Sequence, residues 1–112
     1  MIDFETIARS NHLSGMNCSN ALYDAFKYEY ELEGTPPPPR SEGGTCGALL
    51  TGIAILKETG NEDKVEDFTK AFIDRFKYTK CKDLILHKRV CNDNIGFVAN
   101  YLCMNSYNKK NK

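Results

Sequence analysis

An all-α fold, a compact bundle of about four main helices with short accessory helices, is what this chain predicts, and three observations predict it. Apolar residues recur at three- and four-residue spacing in four separate segments. No segment alternates apolar and polar residues as a half-buried strand does. Gly34, Gly60 and the proline run fall between the periodic segments, where a helical chain must turn. At 112 residues the chain can bury a core as one domain, residues 1–112, without disulfide staples.

Each element follows from local pattern. Residues 1–11 form an accessory helix through Phe4, Ile7 and Ala8. From Asn17 to Glu33, Cys18, Ala21, Leu22, Ala25 and Phe26 make a helical stripe, with Asn17 as N-cap and Gly34 as stop. Residues 35–44 hold all four prolines and two glycines, which predicts an extended loop that then turns. Thr45 caps a helix to about Thr59 whose Leu49, Leu50, Ile53, Ala54, Ile55 and Leu56 are apolar nearly all round, as a central buried helix should be. Gly60 ends it. Glu62 to Lys77 is amphipathic, with Val65, Phe68, Ala71, Phe72, Ile73 and Phe76 on one side. Lys80 to Leu86 is a short helical turn. Asn92 to Tyr107 carries Ile95, Val98, Ala99, Leu102 and Cys103, and the run 92–94 caps it. A basic tail at 108–112 follows.

Composition narrows the function. The formal net charge is zero and the pI about 6.7, so net charge implies neither a nucleic-acid surface nor an acidic substrate. The N-terminus lacks the basic start and apolar run of a signal peptide, and no stretch is long enough to span a membrane, which predicts a cytoplasmic protein. In that compartment thiols stay reduced, so five cysteines, an odd number, point to catalysis, metal binding or plain burial rather than a permanent disulfide framework.

Four of them, Cys18, Cys46, Cys81 and Cys91, each stand at the edge of a different helical segment. They form no CxxC pair, so they meet only if folding brings one helix end against another. Cys46, read as the first residue of the central helix, is placed where unsatisfied N–H groups and the positive end of the dipole stabilise a thiolate. Gly47, Ala48 and Gly52 keep the opening turns thin, either for close approach of a backbone or ligand, or for tight helix packing. Cys81 lies between Lys80 and Lys82, and His87, Lys88 and Arg89 lead to Cys91, surroundings that favour thiolates or form a solvated face. Cys103, in the apolar stripe of the last helix, reads as a buried hydrophobe.

This order of residues resembles the C_GCAxxG_C_C family, small proteins to which redox activity is ascribed. The resemblance runs from Asn17 to Cys91 and rests on Cys18, then Cys46, Gly47, Ala48 and Gly52, then Cys81, then Cys91. Gly52 follows Ala48 after three residues where the pattern has two, and Cys103 stands outside it. The resemblance implies a redox-active protein without naming a substrate.

Three functions are compatible with these residues. The first is thiol/disulfide exchange, Cys46 being resolved by Cys18, Cys81 or Cys91 and passing electrons to a redox partner protein or a small-molecule thiol. In the second, the same four cysteines ligate an iron-sulfur cluster or a single metal ion, making an electron carrier. The third is a non-catalytic helical interaction module. Only His12 and His87 could serve as imidazole bases, and neither stands in a recognisable Cys/His context, which disfavours a hydrolase. No nucleic-acid partner is implied, and a homodimer through an exposed apolar helix face is compatible with the pattern.

Overall fold

The computed structural model describes residues 3–27, 29–37, 44–86 and 91–105, apart from the side chains of Cys81, Ile85, Cys91 and Asn105. Within them the chain forms six α-helices: α1 (Phe4–Leu13), α2 (Cys18–Lys27), α3 (Gly47–Glu58), α4 (Val65–Phe76), α5 (Cys81–Leu86) and α6 (Cys91–Asn105). A 3-10 turn, Glu62–Lys64, leads into α4, and an isolated bridge joins Thr45 to Lys80. The fold is all-α. The middle of the 35–44 loop, His87, Lys88, Arg89 and the tail at 108–112 lie outside the described residues. Among the described residues no helix is long and apolar enough to cross a membrane.

Polar side chains start the first two helices. Asp3 Oδ1 accepts the Thr6 N–H at 3.1 Å ahead of α1, and Asn17 Oδ1 accepts the Asn20 N–H at 2.8 Å ahead of α2. Left-handed residues end others. Gly15 (φ 116°) and Gly60 (φ 78°) close α1 and α3 with paired bonds: Met16 N–H to Asn11 O with Gly15 N–H to His12 O, and Asn61 N–H to Leu56 O with Gly60 N–H to Lys57 O.

The second helix corrects the expected boundary. It runs only to Lys27, and the Leu32 N–H turns back onto the Lys27 carbonyl at 3.0 Å, with Glu31 in the left-handed region at φ 51°. A non-glycine residue thus takes the capping conformation that Gly34 was expected to supply. Gly34 has a different task. Glu58 Oε2 accepts the N–H groups of Glu33 at 2.6 Å and Gly34 at 3.3 Å, and a Cβ on Gly34 would sit 3.2 Å from Glu58 Oε1. Glu58 Oε1 also accepts the Tyr23 hydroxyl at 2.8 Å, so one carboxylate at the end of α3 fastens α2 and the strap beyond it.

The core follows the apolar stripes. Helix α1 packs on α2 and α6, and α3 packs on α2, α4 and α6. Phe4 stacks on Phe26 at 4.3 Å between ring centroids, with Tyr30 edge-on to both. Phe68, Phe72 and Phe76, spaced by four along α4, are buried and meet Phe97 and Tyr101 of α6. On α1 and α4, Ile7 and Ile73 were expected in the core and are each 40% exposed, because their faces of these helices turn outward. The contact of α1 with α6 also has a polar part. The Arg9 guanidinium fills the space left by the missing side chain of Gly96 and bonds Glu5, Asn92 and Asp93 at 3.0, 2.9 and 3.1 Å. Partial burial disfavours its charge, but the bonds to Asp93 and Glu5 outweigh this and raise its pKa.

Gly52 is a point of helix contact. A Cβ there would lie 2.5 Å from Phe68 Cζ and 2.9 Å from Val98 Cγ1, so α4 and α6 both close onto α3 at this residue. Gly52→Ala gains helix propensity of about 1 kcal/mol but overpacks the contact, a cost of about 1–3 kcal/mol. Denaturant unfolding is expected to show a net loss of stability, and a gain would show that Phe68 can step aside freely.

Burial, then the bond and charge of Glu58, raise the Tyr23 pKa above its ordinary value of 10.0. The unfolded chain releases that proton first, so this stabilisation is complete below pH 10 and fades as pH rises beyond it. Tyr23→Phe should therefore give a shallower alkaline loss of stability than the parent between pH 9 and 11, roughly one unit either side of the unperturbed tyrosine value. Equal slopes would mean that Tyr23 ionises as easily folded as unfolded.

Candidate functional site

Cys46 is the N-cap of α3 (φ −54°, ψ 131°), one position before the first helical residue expected for it. The helix begins at Gly47 because the preceding residues are held extended against another segment. The Cys46 N–H donates to Thr79 O at 2.7 Å, and Thr45, expected to be the cap, forms the bridge with Lys80. The Cys46 carbonyl accepts the Leu50 N–H at 3.0 Å, the first bond of the helix. The N–H groups of residues 47 to 49 therefore have no acceptor within α3 and point toward its start.

That extended pair has a topological consequence. Lys80 immediately precedes Cys81, so the bridge sets the backbone start of α5 beside the start of α3. Helix α2 arrives at the same place. Ser19, one residue after Cys18 and fully buried, directs its hydroxyl to the Gly47 carbonyl at 3.4 Å. The first turn of α6, which opens at Cys91, arrives too. Asn94 was expected to lie in a capping run, but the helix has already begun at Cys91, and Asn94 turns inward to donate from Nδ2 to Cys46 Sγ at 3.8 Å. These bonds thus set together the starts of α2, α3 and α5, at Cys18, the cap Cys46 and Cys81, with the first turn of α6, which Cys91 opens.

The thiols differ in access. Cys46 is 2% exposed, Cys18 is half-buried, and Cys103, expected to be a core residue, is exposed. Ile95, Val98, Ala99 and Leu102 form the buried stripe of α6, and Cys103 lies off its edge near the end of the helix. Gly47 and Ala48 are buried, with Ser19 close upon Gly47. The space beside Gly52 is taken by Phe68 and Val98 rather than facing the cysteines.

Among the described residues two buried polar side-chain atoms lack a hydrogen-bond partner: Asn94 Oδ1, in the amide that meets Cys46, and Thr51 Oγ1, further along α3, in residues 1% and 0% exposed. Each such atom costs about 1–3 kcal/mol, so its retention asks for an explanation in function. Asn94 is the residue that sequence reasoning missed. It precedes Val98 and Leu102 at four-residue intervals, so an amide heads a buried apolar stripe one turn after a cysteine, and that was the available signal.

Around the sulfur, opposing effects meet. Burial penalises a thiolate, whereas the open N–H end of a twelve-residue helix and the Asn94 amide donor favour it. No group of three or more His, Cys, Asp or Glu that could hold a metal ion occurs among the described residues, a set that leaves out the side chains of Cys81 and Cys91. A separate cavity of about 220 Å³ opens between α2 and the strap at 34–36, lined by Asn20, Tyr23, Asp24, Lys27 and Thr35 among others. No protein-family model, curated protein or solved structure matches the chain.

If Asn94 is kept for chemistry at a cost in stability, Asn94→Leu, which keeps the branching and the number of side-chain heavy atoms and leaves no orphaned acceptor, should unfold at an equal or higher denaturant concentration. A loss above about 2 kcal/mol would make the amide a structural necessity.

Proposed function

We propose that the protein is a dithiol redox carrier in which Cys46 and one of Cys18, Cys81 or Cys91 alternate between two thiols and one disulfide. The observation that carries this reading is the Asn94 amide donating to a buried Cys46 sulfur at a helix start where three other cysteine-bearing helix starts are gathered. Oxidation forms one S–S bond and releases two protons and two electrons to the acceptor. Reduction by an external dithiol reverses it through a mixed disulfide. Cys18, half-buried, is the thiol that a reducing partner can reach, and Cys46 is the internal one. The resemblance to the C_GCAxxG_C_C family agrees with this assignment.

A second reading draws on the same gathering. Cys18, Cys46, Cys81 and Cys91 would ligate an iron-sulfur cluster or a single metal ion, which would supply one-electron chemistry if iron-based. The N–H groups at the start of α3 would offset thiolate charge there.

The deciding experiment is iron, zinc and acid-labile sulfide content on chain purified anaerobically without a metal-affinity tag, followed by thiol titration and peptide mapping. The dithiol reading expects metal-free protein and a reversible two-electron disulfide that includes Cys46 and is lost in Cys46→Ser. Near-stoichiometric iron and sulfide, lost in the same variant, would replace it with the cluster. Five inert thiols would leave a helical scaffold.

A further inference from the structure

The burial of Cys46 limits what can oxidise it. A disulfide on another protein must present its sulfur in line with the attacking thiolate, and a residue 2% exposed offers no room for that approach. A molecule of two or three heavy atoms can enter through the small fluctuations that every packed interior undergoes. Polar atoms wait for it there. Asn94 Nδ2 already donates to the sulfur, while Oδ1 of the same amide is 1% exposed and accepts from nothing among the described residues. An acceptor held beside a sulfur is suited to an O–H group bound to that sulfur or about to be.

We propose that Cys46 is oxidised by a small hydroperoxide and that Asn94 holds the reacting O–H. This rests on the dithiol reading and names its oxidant. The Cys46 thiolate attacks the terminal oxygen of the peroxide; an S–O bond forms, the O–O bond breaks, and the alkoxide or hydroxide leaves and takes a proton from solvent. Sulfur loses two electrons and the peroxide gains them. The product is a sulfenic acid whose O–H donates to Asn94 Oδ1. A second cysteine thiolate then attacks the Cys46 sulfur, forming the S–S bond as hydroxide departs and is protonated to water. An external dithiol returns the pair to thiols. The Asn94 donor at 3.8 Å from sulfur and the open N–H end of α3 bear on the first step, because both stabilise the thiolate that attacks.

Cys103 supplies the reference within the same chain, since it is exposed. The reduced chain is treated with limiting hydrogen peroxide, with and without dimedone, and oxidation at each cysteine is followed by peptide mapping. Cys46 is expected to be modified at least tenfold faster than Cys103, as a dimedone adduct or a disulfide. In Asn94→Leu the Cys46 rate should fall at least tenfold and its pH profile move to higher pH, with Cys103 unchanged. Asn94→Ser serves the same comparison should the leucine variant fail to fold. Preferential oxidation of Cys103, or a Cys46 rate indifferent to both changes, overturns the proposal. A parallel treatment with glutathione disulfide separates the two levels. If it forms the internal disulfide while peroxide does not, the dithiol reading stands and this inference falls; if neither forms it, both fall.

Discussion

The hydrogen bond from the Cys46 N–H to the Thr79 carbonyl, with the neighbouring bridge from Thr45 to Lys80, is the constraint on which the arrangement of this protein depends. It joins backbone segments over thirty residues apart, and it does so just where one helix starts and another is about to. Residue 46 is held extended by this bond, so α3 begins at Gly47 and Cys46 becomes its cap. Residue 80 is held by the bridge, so α5 begins at Cys81 beside it. Pairing these backbone groups with each other costs no side chain. The starts of α3 and α5, with Cys46 and Cys81 at them, are set side by side by backbone bonds.

Packing around α3 then completes the site from the other sides. Gly52 brings Phe68 and Val98 into contact with the helix axis, and with Val98 comes the whole of α6, whose Asn94 lies one turn earlier. Arg9 secures the far face of α6 by occupying the space over Gly96, and its bonds to Asn92 and Asp93 fix the turn from which Asn94 points inward. Phase along the helix explains the division of labour: with Asn92 and Asp93 engaged by α1, residue 94 is rotated toward α3. A structural ion-pair cluster and a buried amide beside a thiol are thus consecutive residues of one helical turn.

Site and scaffold pull in different directions energetically. The scaffold satisfies its polar groups closely, as the Thr59 and Asn61 side chains at the end of α3 illustrate, where Asn61 Nδ2 donates to Thr59 Oγ1 at 2.7 Å. The orphaned oxygens, Thr51 Oγ1 and Asn94 Oδ1, fall instead in α3 and in the turn of α6 that meets Cys46. A protein under selection for stability alone would fill such positions with apolar atoms. The one in Asn94, in an amide that meets a buried thiol, is the physical basis for reading this end of the bundle as chemical.

Much of the fold was legible in the chain. The helical class, the stripes of α2, α4 and α6, the Asn17 cap and the Gly60 stop all follow from interactions within one or two turns, which a residue pattern encodes directly. The boundary of α2 was not, because a left-handed Glu31 did what glycine usually does, and neither was the exposure of Ile7, Ile73 and Cys103, because burial depends on which neighbour covers a face. Within the candidate site, four cysteines at helix edges were evident from spacing alone. That the bonds of Ser19, Cys46, Thr45 and Asn94 draw those helix starts together, and that the Asn94 amide meets the sulfur, only tertiary structure decided. The reason is physical: the bonds that set α3 beside α5 run through backbone N–H and C=O groups that every residue shares, and those of Ser19 and Asn94 depend on which helix each side chain faces across the fold, so no residue type announces them.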